Sequence, residues 1–128
     1  MVYRILLILA YWLYFLGEGV TEGLTWKMGW EDFTANSRTY HTWRVVENLG
    51  LIGVILLIGF VHPANWLIIS LLSAVGGLII YLRCFSYGRH DNFWHHSQSE
   101  WFGISKPNIT IQIVIFIISV VSLGYILI

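Results

Sequence analysis

The chain has 128 residues, 57% hydrophobic and 11% charged, with seven basic and seven acidic side chains and a formal net charge of zero. Soluble globular domains carry about 25% charged residues, so composition moves the chain out of that class and into the membrane class. Zero net charge leaves no basic footprint for nucleic acid, and the lone Cys84 cannot form an internal disulfide.

The bilayer core is about 30 Å thick and needs about 20 helical residues to cross. Residues 5–17 are uncharged, with Arg4 and Glu18 at their ends, and predict a first span over residues 2–20. A cleaved signal peptide fits less well, because Arg4 is the only basic residue ahead of the apolar run and no small-x-small site precedes Glu18. Residues 21–41 read as a loop crowded with Trp26, Trp30, Phe33 and Tyr40, with Trp43 just beyond it.

A second span over residues 42–61 carries Arg44, Glu47 and Asn48 in its first two turns. His62-Pro63 then makes a minimal turn, since proline at a helix start lacks only an N–H that would be unpaired there anyway. The third span covers residues 64–87 and is expected to stop at Gly88, a helix-terminating residue type. Residues 89–106 form a second aromatic loop with Phe93, Trp94, Trp101 and Phe102, and Pro107 opens a last, isoleucine-rich span over residues 108–128.

The expectation is therefore one domain, 1–128: an all-α integral membrane protein, a four-transmembrane-helix bundle with two aromatic-rich interfacial loops on one side. Tryptophan favours the headgroup region, so both loops are read as lying on the membrane surface, with short interfacial helices. Four spans place both termini on the side opposite the loops. Six of the seven Lys and Arg residues fall at the loop end, and the positive-inside rule then puts the loops in the cytoplasm.

Thirteen of the fourteen charged residues, and four of the five histidines, gather at that loop end. Charge is costly in hydrocarbon and marks functional surfaces in membrane proteins. Glu18 and Glu22 stand one helical turn apart; His41, Arg44 and Asn48 share a stripe, with Glu47 at its edge. An ionised Glu47 inside a span needs a partner, so Arg44 or Arg83 is expected to meet it and fix helix register. Glu18, Glu22 and Glu47 are also the candidates for proton-carrying or catalytic carboxylates in a polar pocket open to the interface.

The segment Arg89-His90-Asp91-Asn92-Phe93-Trp94-His95-His96 is the richest in chemistry. A helix capped by Asp91 would set Asp91 and His95 one turn apart, and His96 and Glu100 likewise. Imidazole with carboxylate suits zinc, iron or copper, so His41, Asp91, His95 and His96 are the candidate ligands of a transition metal, with Glu22 as an alternative from the first loop. His41 and His62 lie at opposite ends of one helix, which argues against a bis-histidine haem.

His90-x4-His95-His96 resembles one histidine box of the membrane fatty-acid desaturases and hydroxylases, and Asp91-x3-His95 resembles a ligand pair of the copper membrane monooxygenases. The first family uses more histidines than the five here, and the second needs a histidine downstream of His96, where this chain has none. Neither family's activity is carried over to this chain.

Ser70, Ser73, Gly76 and Gly77 offer close helix packing on the third span, as do Ser119, Ser122 and Gly124 on the fourth. Three functions are compatible with this sequence. The first is a small subunit of a larger membrane complex, such as an oxidoreductase, contacting lipids and other membrane subunits or its own copies. The second is an interfacial metal-binding enzyme acting on a lipid or other membrane-soluble substrate. The third is an oligomeric transporter or channel, which would need polar residues through the full depth of the helices.

Overall fold

The computed structural model describes residues 1–28, 38–95, 100–101, 104–105 and 108–128. Four helices dominate: α1 (Val2–Met28), α2 (Arg38–Ile58), α3 (Pro63–His90) and α4 (Ile109–Leu127). Each is long and apolar enough to cross a membrane. Between α3 and α4, β1 (Glu100–Trp101) and β2 (Ile104–Ser105) pair antiparallel, with Glu100 opposite Ser105 and Trp101 opposite Ile104. The expected interfacial helix is therefore absent from the described residues of the second loop, and residues 29–37 of the first lie outside the description.

The helix ends follow from local chemistry. The His62 imidazole accepts the Ala64 N–H at 3.3 Å, with Pro63 at the first helical position, so the short turn before α3 satisfies its own orphan donor. The Asn108 side chain caps α4 by accepting the Ile111 N–H at 2.9 Å. Four boundaries differ from expectation, two of them at the ends of α2, which runs Arg38–Ile58 in place of residues 42–61. α1 runs two turns beyond residue 20, and α3 passes through Gly88 to end at Asp91, which adopts the left-handed conformation (φ 54°). Asp91 thus closes α3, its N–H reaching the Tyr87 carbonyl at 2.9 Å, instead of opening a new helix.

The helices pack in the spatial order α2, α1, α3, α4, with α2 seated on α1 and α4 on α3. Gly76 explains how three helices meet at one level of α3. With no β-carbon there, the Trp12 indole of α1 donates to the Ser73 carbonyl at 3.2 Å while Ser119 of α4 donates to the Leu72 carbonyl at 2.6 Å. The Phe15 ring likewise occupies the space that a side chain at Gly77 would fill. Toward the far end, Leu7, Ile8, Val61, Ile69 and Leu123 form the buried apolar core, and Tyr3 stacks on Phe60 at a ring separation of 5.0 Å. Burial is uneven. In the most apolar window of α3, 44% is buried, against 11% for α2 and 17% for α4.

Candidate functional site

Close backbone approach builds the polar end. A β-carbon on Gly17 would stand 2.6 Å from the Glu47 amide nitrogen of α2, and one on Gly50 would collide with the Tyr14 backbone of α1. On its other flank α1 offers Gly19, where a β-carbon would lie 2.6 Å from the Tyr81 carbonyl, and Gly23, which abuts Phe85 and Gly88 of α3. Small residues let helices approach this closely. Glu18 and Glu22 are interleaved with these glycines, so the same contacts deliver one carboxylate toward α2 and the other toward α3.

The carboxylates find different partners. Arg44 Nη1 lies 2.5 Å from Glu47 Oε2 and 3.7 Å from Glu18 Oε2, so a single guanidinium bridges carboxylates from two helices. Glu47 is buried, which makes this pairing one of low local dielectric. The Tyr81 hydroxyl of α3 donates to Glu22. Above these groups opens a groove of about 440 Å³ lined by Glu18, Thr21, Glu22, Thr25, Trp26 and Arg44. Thr25 donates its hydroxyl to the Thr21 carbonyl at 2.8 Å, while the buried Thr21 hydroxyl has no partner among the described residues. Carboxylate acceptors beside a guanidinium donor suit a ligand that presents both a hydrogen-bond donor and an acceptor.

Arg83 departs from expectation. It meets no carboxylate among the described residues; Nη1 donates instead to the Phe93 and His95 carbonyls, each at 3.0 Å, and folds the chain after α3 back over the helix end. Asn92 completes this turn by accepting the Trp94 N–H at 3.1 Å. Arg83 is buried while Tyr87, one turn on, is half exposed, so the two do not act as one stripe.

Among the described residues the expected metal ligands do not converge. Asp91 pairs with Lys27 of α1, and the His90 and His95 rings lie against each other with centroids 3.8 Å apart and planes tilted by 32°. The helical spacing assumed for Asp91 and His95 is lost because Asp91 terminates α3. His41 is exposed near the start of α2, and His96 and the Glu100 side chain lie outside the described residues. Among the described residues no three His, Cys, Asp or Glu side chains are placed to hold a metal ion.

Sequence reasoning missed Tyr81 and Lys27. Tyr81 stands two residues before Arg83 and looked like one more aromatic in an apolar run; its signal was a hydroxyl at the depth of the α1 carboxylates. Lys27 falls in the loop that hydropathy predicts after residue 20, whereas α1 runs through it to Met28. Arg89, placed over the Trp26 ring at 5.5 Å, adds a cation–π contact between the extended ends of α1 and α3.

Comparison with protein-family models, with curated proteins and with solved structures found no match.

Proposed function

We propose that the chain is a small multi-pass membrane protein that works as a subunit of a larger membrane assembly, with its polar end at one interface. The single-file packing carries this reading. Outer helix α2 is seated on α1 and leaves most of its apolar surface uncovered. Val45, Ile52, Ile55 and Leu56 are each more than half exposed, a surface that lipid or neighbouring subunits must cover. The paired charges fit a scaffold role, since Arg44, Glu18 and Glu47 tie two helices together. The excess of Lys and Arg at the loop end supports a cytoplasmic position for that end. The test is solubilisation of native membranes in mild detergent, with affinity capture of the full chain and native mass spectrometry. Stoichiometric co-purifying subunits are the expected result; a chain that remains a monomer, with nothing bound, overturns the reading.

A second reading, an interfacial enzyme or binding protein for a lipid or other membrane-soluble molecule, draws on the groove at Glu18, Glu22 and Arg44 and on the buried Thr21 hydroxyl, which has no partner among the described residues. Mass spectrometry of lipids retained by the purified protein tests it. A retained species should be lost in Glu22→Gln, and identical lipid profiles in both proteins would count against the groove.

A further inference from the structure

The exposed face of α2 has a regular pattern. His41, Val45, Asn48, Ile52 and Ile55 follow spacings of four, three, four and three, the heptad seam along which helices pair side by side. All five are exposed. The opposite face carries Glu47 and Gly50, both buried against α1. From Val45 to Ile55 the seam therefore points away from α1.

Asn48 decides what covers that seam. It sits seven residues beyond His41, about 10 Å along the helix axis, and ten residues before the end of α2 at Ile58. Its side chain has no hydrogen-bond partner among the described residues and is flanked on the seam by Val45 and Ile52. Acyl chains can cover valine and isoleucine, but they offer an amide neither donor nor acceptor, and an unsatisfied amide is costly in hydrocarbon. A primary amide is its own complement, with an N–H to give and a carbonyl to receive. Copies of one membrane protein share one orientation, so two α2 helices meet in parallel with their Asn48 residues at the same depth. On a two-fold axis each amide then donates to the other.

We propose that α2 is a self-association surface: two copies of this chain pair along His41, Val45, Asn48, Ile52 and Ile55, with reciprocal hydrogen bonds between their Asn48 side chains. The proposal rests on α2 spanning the membrane and names a second copy as one neighbour in the assembly. It gives Asn48 the role that a single polar residue plays in a heptad seam, fixing register and partner number.

The experiment uses the full chain in lipid nanodiscs, with subunit number read by native mass spectrometry and proximity by cysteine crosslinking in a Cys84→Ala background. Wild type is expected to be dimeric, and Ile52→Cys to crosslink under mild oxidation while Val121→Cys on α4 does not. Asn48→Leu should weaken the dimer about 3- to 30-fold, the range for one interhelical hydrogen bond in a membrane, and Asn48→Gln should retain more of it. Position 48 faces away from α1, so an unchanged helical circular-dichroism signal confirms that both variants fold. A monomeric wild type in carbonate-resistant membranes, or a dimer indifferent to Asn48→Leu, overturns the proposal while leaving the broader assembly open. Release of the chain by alkaline carbonate overturns the membrane reading itself.

Discussion

Gly17 of α1 and Glu47 of α2 meet backbone to backbone: a β-carbon at position 17 would lie 2.6 Å from the Glu47 amide nitrogen and 2.8 Å from its α-carbon. Neither atom can swing aside as a side chain can. Gly17→Ala is therefore expected to push α2 off α1 and cost at least the ~1–3 kcal/mol typical of overpacking. Gly59→Ala, with open space around it, is the control. Thermal unfolding in detergent, followed by tryptophan fluorescence, should show a lowered midpoint only for the first.

Arg44 should matter more than its exposure implies. Removing it leaves Glu47 buried without its cation and Glu18 without its neighbour. Breaking a buried pair costs about 3–5 kcal/mol, and the partial exposure of Arg44 places the expected loss for Arg44→Ala at or below the lower end. Glu47→Gln, which retains an acceptor for the guanidinium, should cost less. Unfolding midpoints of the two variants and their double mutant would show this as strong non-additivity.

The Lys27–Asp91 pair should behave in the opposite way. Both side chains reach solvent, at 39% and 72% exposure, and exposed pairs contribute about 0–1 kcal/mol. A double-mutant cycle with Lys27→Ala and Asp91→Ala is expected to give a coupling in that range that fades as salt is raised. A larger, salt-insensitive coupling would contradict the structure.

Arg83 should control the order of the segment that follows α3. Arg83→Met removes the donor shared by the Phe93 and His95 carbonyls. Amide hydrogen exchange at Trp94 and His95, whose N–H groups are both held by Asn92, is expected to accelerate while exchange in the middle of α3 stays unchanged. Uniform acceleration along α3 would instead mean that Arg83 supports the helix itself.

The four helices were legible because hydropathy is a property of composition, and no packing detail alters it. The helix ends were less so. Gly88 reads as a stop signal in isolation, yet its missing side chain is used for contact with Val20 and Leu24 of α1, and the helix continues past it. Asp91 reads as a helix opener, but an aspartate also tolerates the left-handed conformation that closes one. The partner of Glu47 was legible in part: a carboxylate inside a span needs a cation, which left Arg44 and Arg83, and the structure has Arg44 there. The Glu22–Tyr81 bond was not, because it depends on how α1 and α3 align, and that alignment is set by glycines whose role appears only when the helices are brought together.

The spatial order of the helices also dictates an order in time. α1 lies between α2 and α3, so the ribosome delivers the α2 side of its interface first. Tyr81, the partner of Glu22, comes 23 residues after α2 ends at Ile58, a delay of about 1–5 s at ordinary synthesis rates of about 5–20 residues per second. For that interval the nascent α1–α2 hairpin holds Glu18 beside Arg44 but leaves Glu22 and the flank at Gly19 and Gly23 bare. Biogenesis of this chain thus passes through a half-built hairpin with one unclaimed carboxylate, and a chaperone or insertase that recognises it would have to let go when α3 emerges.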